Sequence, residues 1–259
     1  MTKIIGVLNY NDTSFSDGGL FNTLNKGTTH VKYLTKKGAD FIDIGCTTTS
    51  YGAKLLTADE ELEKLQPLLK AIDLTSISID TCNLGTMKSA IDLGVKMIND
   101  VSGGQDPRVL DLLVRHKTVK YICMLSLVLP ADRNIRVKSI DEVYEWAIKT
   151  KEKCKTHGIT EEQLILDPGI GFVTNSAQSF ELIRNICKFK QLNIPICVGH
   201  SRKSFLASVT KHNINDRDIE TMVISLFLKQ SKVDYIRVHN VEMHRRAFDI
   251  ADSLQIRSL

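Results

Sequence analysis

The stretch Lys3-Ile4-Ile5-Gly6-Val7-Leu8-Asn9 decides the fold by its content and by the residues that succeed it. It is a short apolar run that ends in a polar residue, the pattern of a strand leaving a core. A doubly wound sheet built for a dinucleotide would place GxGxxG after such a first strand. Here Asn9-Tyr10-Asn11-Asp12 comes after Leu8 instead. Comparable runs recur at residues 40–45, 76–80, 95–99, 119–124, 163–167, 194–199 and 234–239, which with 3–9 makes eight. Between them apolar residues fall at helical spacing, as in Leu62, Leu65, Leu68, Leu69 and Ile72, or Val143, Trp146, Ala147 and Cys154. Pro67 interrupts the first of these and predicts a kink. Strand-like runs alternating with helical ones predict βα units and a parallel sheet. Eight units in 259 residues fit an α/β fold of the (β/α)8 TIM-barrel type, which typically takes ~250 residues. No linker rich in Pro, Gly or Ser divides the chain, so residues 1–259 read as one domain.

The composition agrees. With 42% hydrophobic and 25% charged residues, 15 Gly and 5 Pro, the chain is neither disordered nor collagen-like. Its 34 basic and 30 acidic residues leave a net charge of +4, scattered along the sequence, which gives no basic stripe for nucleic acid. Lys3 ahead of an apolar run mimics the front of a signal peptide, but Asn9, Asn11 and Asp12 stop the run too early. No segment approaches the ~20 apolar residues of a membrane span. The six cysteines include no CxxC pair and lie mostly in apolar runs, which predicts a reducing cytoplasm and no structural zinc.

In a barrel of this type the strand ends feed the loops that carry the active site. Those ends read Asn9, Asp43, Asp80, Asn99 with Asp100, Met124, Asp167, Ser201, and Arg237 with His239. The carboxylates and amides at 43, 80, 99 and 167 can read the donors of a flat heterocycle, because a carboxylate accepts two hydrogen bonds side by side and an amide offers both signs. Lys203, Arg237 and His239 supply cations or donors suited to a phosphate or diphosphate. Asp43 and Asp100 read equally well as helix caps or local salt-bridge partners. Ser14-Phe15-Ser16-Asp17-Gly18-Gly19 reads as a mobile cover with a glycine hinge, and Asp167-Pro168-Gly169-Ile170-Gly171-Phe172 as a second glycine-rich loop facing a ligand.

These residues carry a resemblance over nearly the whole chain. Ser14-Phe15-Ser16-Asp17-Gly18-Gly19, Ile77-Ser78-Ile79-Asp80-Thr81, Ile98-Asn99-Asp100-Val101-Ser102-Gly103, Asp167-Pro168-Gly169-Ile170-Gly171-Phe172, Ser201-Arg202-Lys203-Ser204-Phe205 and Ile236-Arg237-Val238-His239 together closely resemble the dihydropteroate synthase family. The resemblance implies a barrel enzyme of folate synthesis that condenses 6-hydroxymethyl-7,8-dihydropterin diphosphate with para-aminobenzoate. It also implies Mg²⁺ and a homodimer. Carried onto this sequence, it puts Asp80, Asn99, Asp167 and Lys203 on the pterin, and Arg237, His239 and Thr49 on the diphosphate. Asn9 falls near the metal, and Phe172 and Ser204 border the aminobenzoate. Asp80, Asp167 and Lys203 are the expected catalytic set.

The departures from the family pattern fall in loops. The stretch usual as TPDSFSDGG begins here with Asn11-Asp12-Thr13-Ser14, and the loop usual as STRPG reads Thr48-Thr49-Ser50-Tyr51-Gly52. Leu125 replaces a histidine after the fifth strand, and Thr174 a lysine after the glycine-rich loop. Two readings are open: a divergent synthase of reduced activity, with Asp12 serving for the displaced aspartate, or a pterin-binding paralogue with weak or no synthase activity or another acceptor. A corrinoid-dependent methyltransferase fits less well, since the SRKSF and diphosphate-side residues suit a synthase.

Overall fold

The strands form where β-branched residues crowd, and helices take over where apolar residues return every three or four positions. The computed structural model describes residues 1–11, 20–49 and 51–254. In chain order the elements are β1 (Lys3–Asn9), α1 (Leu24–Lys36), β2 (Phe41–Gly45), α2 (Ala58–Lys70), β3 (Ile77–Asp80), α3 (Leu84–Leu93), β4 (Met97–Asp100) and α4 (Arg108–Arg115). Then come β5 (Lys120–Met124), α5 (Ile140–His157), β6 (Leu164–Asp167), α6 (Ser176–Arg184), β7 (Cys197–Gly199), α7 (Ala207–Thr210), α8 (Asp218–Gln230), β8 (Tyr235–Val238) and α9 (Val241–Ser253). All eight strands sit where the sequence puts them, with ends shifted by three residues at most. The expected cover at Ser14 to Gly19, with Asp12, Thr13 and Ser50, lies outside the described residues.

Every strand pairing is parallel, in the order β6-β5-β4-β3-β2-β1-β8-β7. A single parallel bridge between Leu166 and Ile196 joins the two outer strands, and the Leu166 amide donates to the Pro195 carbonyl at 2.9 Å. The sheet is thereby a nearly closed (β/α)8 barrel.

Alternation along each strand sorts side chains into two cores. Ile5, Met97, Ile122, Ile165, Cys197 and Tyr235, with Phe41 against them, fill the lumen. The intervening residues, such as Ile4, Leu8, Ile42, Ile44, Ile79 and Ile98, pack outward against Leu34, Leu65 and Leu68 of the surrounding helices. Two residues beyond the lumen layer the strands reach their next inward positions, and there Asp43, Asn99, Asp167 and Arg237 begin a polar layer. Helix ends are fixed locally: Thr57 and Glu60 form a capping box at α2, Asn175 and Gln178 another at α6. Helix α2 runs through Pro67 to Lys70.

Candidate active site

Strand register brings the predicted residues to one rim. Asn9 lies opposite Gly45, Gly45 opposite Asp80, and Asp80 opposite Asn99. On the other side of the barrel Asp167 pairs with Met124 and Arg237 with Gly199. A β-carbon at Gly45 would stand 3.2 Å from the Asp80 β-carbon, so the missing side chain makes room for that carboxylate. One at Gly199 would lie 3.7 Å from Asp167 Oδ2 and 3.9 Å from the Arg237 β-carbon, which places those two residues on either side of it.

Arg237 is the centre of one network. Its Nε donates to Asp43 Oδ2 at 2.6 Å and its Nη2 to Asp80 Oδ2 at 2.8 Å. Asn99 Nδ2 donates to the same Asp43 oxygen at 2.9 Å. Asp43 is completely buried, and its Oδ1 has no hydrogen-bond partner among the described residues. Burial pulls the Arg237 pKa down, but Asp43 and Asp80 outweigh it and hold the guanidinium charged. Burial pushes the Asp80 carboxyl up to about 7; the Arg237 charge opposes this, while Asp43, Glu61 and Asp100 add to it.

A second group lies at the β6 and β7 ends. Asp167 Oδ1 accepts from the Gly169 amide at 2.8 Å, and burial raises its pKa against the pull of Lys203. The Lys203 ammonium donates to the Ile170 carbonyl and stands 4.6 Å from the centre of the Phe172 ring. Burial lowers its pKa to about 8, with Asp167 opposing. Beside it Ser201 Oγ pairs with His239 Nδ1 at 2.8 Å and accepts from the His239 amide at 3.3 Å. Arg202, in the left-handed region at φ 58°, reaches Asp218 through Nε at 2.7 Å and Nη2 at 3.0 Å, and Asn240 reaches the same carboxylate at 2.9 Å. His200, buried behind this loop, is held neutral by burial, its pKa lowered to about 3.

The structure therefore gathers Asp80, Asn99 and Arg237 into one hydrogen-bonded set, and Asp167, Lys203 and Phe172 into an adjoining one. Asn9 ends β1 half-buried. Thr49 accepts from the Ala131 amide at 2.9 Å through its carbonyl, and the exposed Ser204 begins a 3₁₀ turn, Ser204–Leu206. Of the two aspartates that also read as caps, Asp43 is the pivot of the Arg237 network. Asp100 serves its own loop, accepting from Ser102 Oγ at 2.6 Å, the Gly104 amide at 2.8 Å and the Tyr121 hydroxyl at 2.7 Å. Cys46 and Cys82 are packing residues: burial, with Glu61 adding, pushes their thiols up to about 12 and about 11, far from a nucleophile's range.

Among the described residues no cluster of three or more His, Cys, Asp or Glu could hold a metal. The donors beside β1 are amide oxygens. Asn11 is 4% exposed and its Oδ1 lacks a partner among the described residues, two positions after Asn9. Few, hard oxygen donors suit Mg²⁺, which keeps waters and substrate phosphates as its other ligands.

A closed parallel barrel whose strand ends set buried carboxylates against an arginine and a lysine is a scaffold for a polar small molecule with an anionic group. The chain belongs to the pterin binding enzyme family, whose profile matches residues 5–239. It is 33% identical to the folate synthesis bifunctional protein of Chlamydia caviae over 96% of this chain, and spans 59% of that longer protein. It is 31% identical to the dihydropteroate synthase of Clostridium beijerinckii, covering 97% of this chain and 93% of that one. Among solved structures, it matches dihydropteroate synthase from Anaplasma phagocytophilum with bound 6-hydroxymethylpterin-monophosphate at 34% identity and TM-score 0.87, over 98% of this chain and 99% of that one. The Yersinia pestis synthase in a sulfonamide drug complex matches at 26% identity and TM-score 0.92, over 98% and 94%.

Proposed function

We propose that this chain is a dihydropteroate synthase, joining 6-hydroxymethyl-7,8-dihydropterin diphosphate to para-aminobenzoate and releasing diphosphate. The observation that carries the reading is Arg237, shared between Asp43 and Asp80 at the mouth of the barrel, with Asp167 and Lys203 beside it. Its relatives include named synthases over nearly the full chain. Nothing in the relatives and solved structures above favours a pterin-binding relative without condensation activity.

In this reading Asp80, Asn99 and Asp167 take the donors of the pterin ring, and Lys203 closes over its edge. Arg237, His239 and Thr49 hold the diphosphate, and Phe172 and Ser204 border the aminobenzoate. The C–O bond to the diphosphate breaks with its electron pair leaving on oxygen. The amine lone pair forms the new C–N bond, and the amine nitrogen gives up a proton to water. Asp80 and Asp167 stabilise positive charge on the pterin side as the bond breaks, while Arg237 and His239 stabilise the departing anion. Asn9 and Asn11 would hold Mg²⁺, which when bound neutralises diphosphate charge.

The remaining assignments are a homodimer and a cytoplasmic setting. In support of the first, Ile219, Val223, Ile250 and Leu254 are between 62 and 70% exposed on α8 and the α9 region, and Leu226, Met243, Ala247, Ile250 and Leu254 line one apolar groove there. A second copy is the proposed occupant; sedimentation showing a monomer at micromolar concentration would refute it. In support of the second, all six cysteines are free thiols. Among the described residues no helix is long and apolar enough to cross a membrane. The function is tested by a coupled diphosphate-release assay with and without para-aminobenzoate. Release that requires both the pterin diphosphate and the amine is expected; none with both present refutes it.

A further inference from the structure

Glu61 is 0% exposed, an unusual place for a carboxylate, and it lies in the first turn of α2 outside the substrate-facing set. Its Oε1 accepts from Thr47 Oγ1 at 2.6 Å and its Oε2 from Thr81 Oγ1 at 2.5 Å. Lengths of this size belong to hydroxyls donating to a charged carboxylate. The two hydroxyls come from different strands' loops. Thr47 lies two residues past the end of β2 and two residues before Thr49. Thr81 directly follows Asp80, and its oxygen also accepts the Asn83 amide at 3.0 Å. Cys46 adds a thiol contact to the Glu61 carbonyl at 3.9 Å.

We propose that Glu61 is a positioning residue of the pterin site: it ties the Thr47 and Thr81 loops together beneath the rim and sets a fixed negative charge behind Asp80. The tie alone does not need a charge. A glutamine could accept one hydroxyl on its carbonyl and donate to the other oxygen with its amide. The carboxylate is distinguished by its field, which acts on Asp80 and on both neighbouring thiols, Cys46 and Cys82. Asp80 faces Arg237 from β8, Asp43 from β2, Asp100 from β4 and Glu61 from α2, so Glu61 is one of three negative groups set against one cation. The Glu61 charge favours the protonated form of Asp80 in the empty site, and it adds to the negative field that stabilises positive charge on a bound ring.

This assignment rests on the synthase reading only for the identity of the ring, and one experiment separates the two. The full chain, Glu61→Gln and Glu61→Ala are compared, with Asp80 followed by carboxyl ¹³C NMR in the absence of ligand and assigned through Asp80→Asn. In Glu61→Gln the Asp80 midpoint, near 7 in the parent, falls by about half a pH unit or more, while Tm stays within about 2 °C. Glu61→Ala weakens pterin diphosphate binding about tenfold, and Glu61→Gln recovers most of that loss. An Asp80 midpoint unchanged by Glu61→Gln, or full affinity in Glu61→Ala, overturns the assignment. Failure of the parent protein to bind pterin diphosphate refutes the synthase reading instead, and the ligand-free titration then decides the role of Glu61 by itself.

Discussion

Replacing Asp43 with asparagine removes one charge from the centre of the site and almost no volume. The amide oxygen can stand where Oδ2 stands and keep both incoming bonds, from Arg237 at 2.6 Å and Asn99 at 2.9 Å. Two things are lost. Arg237 loses an anionic acceptor, its Nε then donating to a neutral amide oxygen, and the new amide nitrogen occupies the Oδ1 position, which has no partner among the described residues. Together these cost about 3 kcal/mol, below the full penalty of a broken buried pair because Arg237 keeps Asp80. Relief of repulsion between Asp43 and Asp80 returns about 1 kcal/mol. The net loss of about 2 kcal/mol lowers Tm by roughly 4–6 °C for a chain of this length. Thermal unfolding by circular dichroism at pH 8 measures it, with urea unfolding as a second readout. A variant as stable as the parent would refute the view that Asp43 holds Arg237 against a real desolvation cost.

Neighbouring groups give further expectations. Asp80 titrates near 3.8 when unfolded and near 7 when folded, so the folded chain binds that proton more tightly. The stabilisation is complete below about 4 and is lost as pH rises through 7, and the Tm decline across that window should be shallower in Asp80→Asn; equal slopes would contradict the burial argument. Lys203→Met keeps a long stem over Gly171 but loses the ammonium bond to Ile170, so calorimetry should show pterin affinity falling roughly 10–100-fold with little change in Tm. Gly169 has φ +67° and its β-carbon would stand 2.5 Å from the Leu125 carbonyl; Gly169→Ala should lower stability by about 2 kcal/mol in urea, and an unchanged midpoint would show that the loop shifts without cost.

The barrel is legible in the sequence because its two periods differ. A parallel strand buried on both faces reads as a short β-branched run, and eight such runs at this spacing match one closed cylinder. The rim is legible for the same reason, since Asp80, Asn99 and Asp167 each stand as a polar residue directly after an apolar one at the end of such a run. Asp43 is visible as a polar strand residue, but its role is not: only the pairing of β8 beside β1, on the side away from β2, puts it within reach of Arg237, 194 positions away. Glu61 is hidden more thoroughly. Asp59, Glu60 and Glu61 stand in a row at the start of α2, where acids are expected to complement the helix dipole, and nothing in the order of letters says that the third turns inward. Asn11 reads as a loop residue and a break in an apolar run, because an orphaned buried oxygen is a property of packing.

The lone bridge between Leu166 and Ile196 gives the cylinder a clasp. Asp167 is one residue past one half of it, and Lys203 extends from the loop that β7 feeds on the other half. A molecule gripped by both side chains therefore fastens the clasp from above, where the backbone has supplied little. Amide exchange around Leu166 and Cys197 should be the fastest along any strand pair without ligand and should slow most when the site is filled. Recognition of the small molecule and completion of the circle are then the same event.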